Sequence, residues 1–306
     1  MVNYFSEADM EGCLDSFQRH HPGLECQLII VDNGSGGDRL SQTLRRLDGR
    51  INLTLIKNEE NIGFAKGCNQ GFARSRGAYI LLLNPDILFV EDSIRRMIDF
   101  MNHHPHVGVV GCRQVLPSGR HYVGDAGYHP SLAKAFNHSF FLSRLFPGLF
   151  KGVYLIRGGE PKEPIDVDWV SGGCFLFRKE LLERAGRMNE SFFLYAEDME
   201  WCRRVRECGW QVAYVPFTHV IHKRRHHPKG SRAVIGLRSQ RALFRHDHGT
   251  LSTLLFEAVT LSGLVLRSLA YSLLHILRRN PEYRHQAREV LRSILAYSRQ
   301  VGVGKK

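Results

Sequence analysis

Two acidic residues, Asp32 and Asp86, stand at the ends of apolar runs and are the first candidates for ligand chemistry. The run "QLIIVD" ends on Asp32, and "YILLLNPD" ends on Asp86 directly after Pro85, which fixes the backbone. A carboxylate in such a place can hold Mg²⁺ or Mn²⁺ while water and diphosphate oxygens fill the other coordination positions. Asn-Pro-Asp is also good turn chemistry, so a solvated acid in a turn is an equal alternative for Asp86.

A second candidate is the acidic cluster in "FFLYAEDMEWCRR". Glu200 and Arg204 are spaced i,i+4, so a solvated, salt-bridged helix face explains part of the cluster. Glu197 and Asp198 follow five apolar or small residues, where a carboxyl is partly desolvated. Its pKa can then be tuned for work as a general base.

Four histidines lie among basic residues in "THVIHKRRHHPKGS": His219, His222, His226 and His227. A zinc site lacks a Cys or an acid at a supporting spacing. One histidine acting as a single metal ligand, beside a basic loop that neutralises a diphosphate, fits this stretch better. A solvated basic loop remains the alternative.

The stretch "NIGFAKGCNQG" spaces Gly63, Gly67 and Gly71 four residues apart, with Asn61 and Asn69 between or beside them. A glycine-containing turn that enters a helix can bring backbone N–H groups to a phosphate. The stretch matches neither the dinucleotide-binding nor the P-loop pattern. Taken alone, it favours close packing of a helix on a sheet.

The elements that position these residues alternate between strands and helices over the first hundred or so residues. This order predicts an α/β fold with a Rossmann-like, mostly parallel sheet flanked by helices. Ligands of such sheets bind outside the carboxyl ends of the strands, which is where Asp32 and Asp86 are expected. The first strand, in "MVNY", is short, and residues 112–164 are predicted to form a mobile or membrane-facing insert.

The C-terminal part is rich in Leu, as in "LSTLLFEAVTLSGLVLRSLAYSLLHILRR". Glu257 and Arg267 interrupt it before the roughly 20 apolar residues that a spanning helix needs. We therefore expect amphipathic helices at a membrane surface, with Arg and Lys toward the headgroups. A helical cap on the protein's own core is an equal alternative.

The composition is that of a globular protein, since 43% of the 306 residues are hydrophobic and 24% are charged. The formal net charge of +12 favours an anionic partner but does not choose among nucleic acid, a phosphorylated small molecule and a membrane. The seven cysteines form no C-x-x-C pair, and "MVNYFSEADMEG" has no apolar core of a signal peptide. A cytoplasmic location is therefore expected.

Five stretches, taken in order, resemble the family 2 glycosyltransferases: "VDNGS", "NEENIGFAKGCNQG", "LLLNPD", "WVSGGCFLFRKE" and "FFLYAEDMEWCRRVRECGW". They are most similar to the rhamnosyltransferase-like branch that builds bacterial surface polysaccharides, over about residues 2–240. The resemblance implies a GT-A fold for residues 1–240. It also implies a nucleotide-diphosphate sugar donor, Mg²⁺ or Mn²⁺, and inversion at the anomeric carbon. The composition of the remaining chain predicts a basic, helical, membrane-associated segment, 241–306.

The resemblance also implies roles for individual residues. Asp198 matches the catalytic base, with Glu197 beside it, and Asp86 matches the last position of the family's D-x-D motif. His222 matches a late metal-ligating histidine, although His219 or His226 could be the counterpart. The implied acceptor-binding residues are Trp169, Gly172 and Gly173. The implied nucleotide-sugar-binding residues are Asn3, Asp32, Asn33, Asn61, Gly63, Gly67, Asn69, Asn84 and Asp86.

The function that follows from the resemblance is transfer of a sugar, rhamnose from dTDP-rhamnose, to a lipid-linked or polysaccharide acceptor. The enzyme is expected in the cytoplasm, peripheral on the inner face of the cell membrane, with no nucleic-acid partner. Two alternatives remain. The short first strand fits an inactive homologue that acts as a scaffold, and the charge alone fits a nucleic-acid-binding protein.

Overall fold

The computed structural model describes residues 1–36, 38–45, 52–155, 162–224 and 231–302. The described elements follow one another in this order: β1 (Val2–Asn3), α1 (Glu7–His20), β2 (Gln27–Asn33), α2 (Asp38–Arg45), β3 (Asn52–Asn58), α3 (Phe64–Arg74), β4 (Tyr79–Leu83), β5 (Ile87–Phe89), α4 (Ser93–His103), β6 (Val107–Val115), β7 (Ala126–Gly127), α5 (Leu132–Ser139), α6 (Leu142–Leu145), β8 (Ile165–Val167), β9 (Trp169–Val170), β10 (Cys174–Arg178), α7 (Leu181–Arg184), α8 (Glu197–Glu207), β11 (Gln211–His222), α9 (Ser231–Arg278) and α10 (Pro281–Gly302).

The described chain divides into two compact units, residues 1–127 with 159–225, and residues 128–158 with 226–306. The second unit therefore combines part of the predicted insert with the C-terminal helices. A domain limit at residue 240 stays a prediction.

In the first unit, β1, β2 and β3 form a parallel sheet in that order, with Asn3 level with Asp32. α3 packs on this sheet through its small residues. A Cβ at Gly67 would lie 3.1 Å from Cγ1 of Val2, so glycine here permits the close packing that the sequence favours. Gly63 precedes the helix with φ 93°, a conformation that side chains disfavour.

A larger sheet in the same unit has the order β4-β10-β6-β11-β5, and β8 also pairs with β11. β6 and β11 are parallel, whereas β10 runs antiparallel to both β4 and β6, and β5 runs antiparallel to β11. The registers set Cys174 opposite Leu83 and His222 opposite Ile87. As a result, the chain segments after β4, before β10 and at the end of β11 meet at one end of the sheet.

Buried apolar side chains hold this sheet against the helices α1 and α4. Ile87, Met97, Met101, Val110 and Cys112 are fully buried in one cluster. Their burial supplies the main driving force for packing, at about 25 cal/mol per Å² of apolar surface. The predicted α/β architecture, with strands flanked by helices and a helical C-terminal part, is confirmed.

In the second unit, α5 packs against α9, because Ala135 lies in one buried cluster with Phe244 and Phe256. The ring of Phe244 stacks on Phe256 with centroids 4.3 Å apart, and Arg267 lies over the ring of Phe141. The backbone of α9 is interrupted at Gly249, where φ is 75°. Within the described part of the chain, the stretch 234–278 is the one helix long and apolar enough to cross a membrane by length and composition. The surface helices that the sequence predicts stay a prediction.

Candidate active site

The turn at residues 171–173 connects two of the predicted groups of site residues. The backbone N–H of Gly172 donates to Oδ2 of Asp198 at 2.8 Å. The carbonyl oxygen of Gly173 accepts from the backbone N–H of Asn84 at 2.9 Å. This turn therefore fixes the predicted base and the Asn-Pro-Asp loop relative to each other.

The pair formed by Asp86 and His222 lies on one side of this turn. Nε2 of His222 is 3.3 Å from Oδ1 of Asp86, and the backbone N–H of Lys223 donates to the carbonyl oxygen of Asp86. His219 is directed elsewhere, because its Nδ1 lies 2.9 Å from Oε1 of Glu91. His226 lies outside the described residues. Of the described histidines of this segment, His222 is the one beside Asp86.

Gln114 is a member of this site that the sequence does not reveal. Its Oε1 lies 2.7 Å from Nδ1 of His222. Gln114 stands near the end of the buried strand β6 in "VGVVGCRQV", and a buried polar side chain in such a strand requires a partner. The sequence therefore indicates that the side chain of Gln114 has a hydrogen-bond partner, but it does not identify His222 as that partner.

The donor atoms of Asp86 and His222 fit a divalent cation. Because Gln114 offers an acceptor oxygen, Nδ1 is the ring nitrogen of His222 that donates to it, and Nε2 is the nitrogen that faces Asp86. A carboxylate oxygen and an imidazole nitrogen then face one position, and both are metal ligands. In the described chain, no group of three or more His, Cys, Asp or Glu side chains forms a metal cluster.

The adjacent acids Glu197 and Asp198 begin helix α8 on the other side of the turn. Oδ1 of Asp198 accepts from the N–H of Met199 at 2.9 Å, in addition to the bond from Gly172. Burial raises the pKa of Asp198, and these two hydrogen bonds oppose the increase. Such a carboxyl is a stronger base than a solvated one once it is ionised.

Glu197 has a different environment from its neighbour. It is 3% exposed, and its Oε2 has no hydrogen-bond partner among the described residues. Burial, and then the charge of Asp198, raise the pKa of Glu197 well above its ordinary value. The two residues before it, Tyr195 and Ala196, have φ of 68° and 69°, and left-handed backbone at two successive non-glycine residues is strained.

The predicted pair of Glu200 and Arg204 is present, but it is not solvated. Glu200 is buried, and Arg204 donates to both of its carboxylate oxygens at 2.8 and 2.9 Å. Arg204 also donates to the carbonyl oxygens of Ala185 and Arg187. The expectation of a solvated face is corrected here: the pair anchors α8 to the loop that follows α7.

The predicted nucleotide-binding residues Asn3 and Asp32 lie together at the ends of β1 and β2. Nδ2 of Asn3 lies 2.9 Å from Oδ1 of Asp32, 3.0 Å from Oε1 of Glu7 and 3.1 Å from Oγ of Ser35. This network fixes the carboxylate of Asp32. Its contact with a nucleotide base stays a prediction.

Asn33 and Asn61 shape the turn before α3. The side chain of Asn33 donates to the carbonyl oxygen of Gly63 at 3.0 Å, and the N–H of Gly63 donates to Oδ1 of Asn61 at 3.0 Å. Both amides therefore hold the entry to the helix.

Asn69 and Trp169 are engaged in the protein interior. Asn69 donates to the carbonyl oxygen of Met188 and accepts from its N–H, which ties α3 to the loop before α8. Trp169 is buried in β9. The ligand-binding roles of both residues stay predictions.

A cavity of about 330 Å³ in the first unit is separate from this chemistry. It is lined mainly by apolar residues, among them Leu14, Leu28, Phe72 and Leu81. Of the predicted site residues, Gly67 alone lines it within the described chain. We therefore base the site on the convergent polar groups and not on this cavity.

Sequence comparisons agree with the motifs. The model of the family "Glycosyl transferase family 2" matches residues 1–186. An N-acetylglucosaminyl-diphospho-decaprenol L-rhamnosyltransferase of Mycobacterium tuberculosis is 27% identical over 211 residues, which are 65% of this chain and 67% of the relative. Rhamnosyltransferase WbbL of Escherichia coli is 29% identical over 154 residues, 48% of this chain and 53% of the relative.

Solved structures share the fold at lower identity. Mannosyltransferase PcManGT from Pyrobaculum calidifontis, in complex with GDP-Man and Mn²⁺, has a TM-score of 0.61 at 15% identity and covers 100% of this chain and 86% of its own. Residues 1–349 of TarS from S. aureus, in complex with UDP-GlcNAc, have a TM-score of 0.53 at 14% identity, with coverage of 100% and 91%. The likeness establishes the GT-A fold. Because the family model matches more than half of the chain and the fold agrees, this protein belongs to glycosyltransferase family 2.

Proposed function

We propose that this glycosyltransferase is an inverting enzyme that transfers rhamnose from dTDP-rhamnose to a lipid-linked or polysaccharide acceptor of the cell surface. The observation that carries the proposal is the turn at 171–173, which bonds to Asp198 on one side and to the Asp86 loop on the other. Two relatives named as rhamnosyltransferases favour rhamnose, and the diphospho-decaprenol in the name of one favours a lipid-linked acceptor.

Asp198 acts as the general base in this proposal. Its carboxylate takes the proton of the acceptor hydroxyl while that oxygen forms a bond to C1 of the sugar. The bond between C1 and the diphosphate oxygen breaks on the opposite face, and the electron pair leaves with the diphosphate. Glu197 is the weaker candidate for the base, because its side chain is almost fully buried and its pKa is raised well above its ordinary value.

Asp86 and His222 would hold Mg²⁺ or Mn²⁺. When bound, the ion supplies positive charge against the charge that develops on the departing diphosphate. Two protein ligands leave the other coordination positions to water and to diphosphate oxygens, as is usual for Mg²⁺. Lys223 and Arg224 follow His222 directly and add positive charge to this end of the sheet.

The proposed location is the cytoplasmic face of the cell membrane. Helix α9 exposes the apolar residues Leu251, Leu269, Leu273, Ile276 and Leu277. Arg278 and Arg279 follow them, and such a basic, apolar surface suits anionic headgroups. We expect the chain to sediment with phosphatidylglycerol vesicles. Equal binding to phosphatidylcholine vesicles would contradict the electrostatic part of this proposal.

A donor-hydrolysis screen tests the proposed reaction. The full chain is incubated with dTDP-rhamnose, UDP-GlcNAc and GDP-mannose, with and without Mn²⁺, and the released nucleoside diphosphate is measured. We expect release of dTDP that increases with Mn²⁺. If no donor is bound or hydrolysed in either condition, the proposal is wrong. Donor binding without turnover, with every acceptor tried, would favour the inactive scaffold.

A further inference from the structure

Gln114 is held rigidly at the end of β6. The residue is buried, with 1% of its surface exposed. Its backbone N–H donates to Oδ2 of Asp125 at 3.0 Å, and its carbonyl oxygen accepts from the N–H of Tyr122 at 2.9 Å. In the sheet it lies level with Val220 of β11, the strand that carries His222. The position of its side chain is therefore set by the sheet and by two further bonds.

The amide of Gln114 selects one form of the His222 ring. With Oε1 of Gln114 at 2.7 Å, Nδ1 of His222 is the nitrogen that carries hydrogen. The other ring nitrogen, Nε2, is the one that faces Asp86. Histidines that bind metals usually donate their other ring N–H to a carbonyl or carboxylate oxygen, which fixes both tautomer and ring orientation.

The surroundings of this pair leave little room for another arrangement. A Cβ at Gly173 would lie 3.1 Å from Oε1 of Gln114 and 3.3 Å from Cε1 of His222. Tyr122 also packs against the imidazole of His222. The two rings meet edge to face, with their centroids 5.5 Å apart. The absence of a side chain at residue 173 thus permits the contact between the amide and the imidazole.

The other half of the amide supports a specific role. Nε2 of Gln114 is buried and has no hydrogen-bond partner among the described residues. An unsatisfied buried donor is destabilising, and an apolar side chain of similar size would avoid that cost. The bond to His222 is the contribution that such a side chain could not make.

We propose that Gln114 is a positioning residue that holds His222 with Nε2 free to bind the divalent cation together with Asp86. This inference rests on the proposed function, since it concerns the same metal site. Gln114 itself does not touch the ion. It acts through the imidazole, and its removal should weaken metal binding while the two ligands remain in the chain.

Mn²⁺ binding to the full chain in the presence of dTDP tests this inference without any turnover. Electron paramagnetic resonance gives the affinity from the signal of free Mn²⁺, and its nitrogen hyperfine coupling reports an imidazole on the ion. We expect the coupling in the unmodified chain and its loss in His222→Gln. Gln114→Leu should lose about 10- to 100-fold in Mn²⁺ affinity and weaken the coupling. Gln114→Glu retains an acceptor oxygen and should keep both.

Thr218→Val is the matched control. Thr218 is buried on β11, as His222 is, and its hydroxyl donates to Glu91. This variant loses a buried hydrogen bond without touching the site, so Mn²⁺ affinity should not change. If Gln114→Leu binds Mn²⁺ as tightly and with the same coupling as the unmodified chain, or if Gln114→Glu loses the coupling, the role of Gln114 is overturned alone. If the unmodified chain binds no Mn²⁺ with dTDP, the proposed metal site falls and this inference falls with it.

Discussion

The two sides of the turn at 171–173 differ in how their polar groups are accommodated. On one side, Asp86, His222 and Gln114 come from three different strand ends and satisfy one another across the sheet. On the other side, Glu197 and Asp198 are neighbours in sequence, and burial raises the pKa of both. In the proposed metal site, the first side pre-positions the two ligands of the cation. The second stores unfavourable burial and backbone strain where proton transfer is proposed.

This difference separates the effects expected of substitutions. Changes on the strand-end side should weaken the binding of metal and donor. Changes on the acid side should reduce the chemical step and leave donor binding in place. The following variants test whether the two sides are separate in this way.

The largest effect is expected from Asp198→Asn. The amide keeps the size of the side chain but cannot take the proton of the acceptor hydroxyl. We expect transfer to fall by about 10²- to 10⁴-fold, the usual contribution of a general base. The measurement is the steady-state rate of transfer, with donor affinity determined separately by calorimetry.

Donor affinity is the control for Asp198→Asn, together with thermal unfolding. Both should stay close to those of the unmodified chain. If the variant loses its fold or its donor affinity, Asp198 is a structural acid and the comparison between the two sides fails.

A smaller effect is expected from Gly173→Ala. The added Cβ would meet Oε1 of Gln114 at 3.1 Å and Cε1 of His222 at 3.3 Å, so the pair must shift by a few tenths of an ångström. We expect a loss of about tenfold in metal-dependent donor affinity, measured by donor titration with and without Mn²⁺. The affinity without metal should change less.

Gly172→Ala is the matched partner of that variant. The nearest neighbours of its added Cβ would be the ring of Phe64 at 3.3 Å and Cδ2 of Leu82 at 3.5 Å, and not His222 or Gln114. Because Gly172 donates to Asp198, this variant should lower the rate more than the metal-dependent affinity. Equal loss of metal-dependent affinity in both variants would show that the turn acts as one unit.

Much of this arrangement could be read from the sequence, because it depends on local signals. Apolar runs predict the strands, and their ends locate Asp32 and Asp86. The order of the motifs marks Asp198 and His222 through resemblance. Gln114 could not be found in this way, because its partner lies on another strand and pairing in the larger sheet is set by long-range contacts.

The same limit applies to residues whose partners lie far along the chain. The motif around Asn69 resembles a donor-binding stretch, yet its amide is bonded to the backbone of Met188. The i,i+4 spacing predicts the pair of Glu200 and Arg204, but not its burial, which depends on carbonyl oxygens of the preceding loop. Local periodicity specifies which residues share a face and does not specify what covers that face.

The smallest effect on transfer is expected from Glu197→Gln. This variant should instead differ from the parent in stability, by an amount that depends on pH. The pKa of Glu197 is higher in the folded chain than in the unfolded chain, so folding favours the protonated carboxyl. The stability that this carboxyl allows is complete below the unfolded pKa and is lost as the pH rises toward the folded pKa. Gln does not ionise. The variant should therefore gain stability over the parent by about 1.4 kcal/mol per pH unit within that window and show little gain in acid.

Urea unfolding at a series of pH values measures the difference in stability between Glu197→Gln and the parent. Glu200→Gln is the variant to compare with it. Glu200 lies on the same helix and is equally buried, but its carboxylate is bonded twice to Arg204. Removing that charge leaves the guanidinium without its charged partner, so this variant should be less stable than the parent at neutral pH. If the difference in stability between Glu197→Gln and the parent does not change with pH, the carboxyl of Glu197 in the parent titrates alike in the folded and unfolded chain. Opposite signs for the two variants would establish that burial without a charged partner, and not burial itself, distinguishes the acid side of the turn.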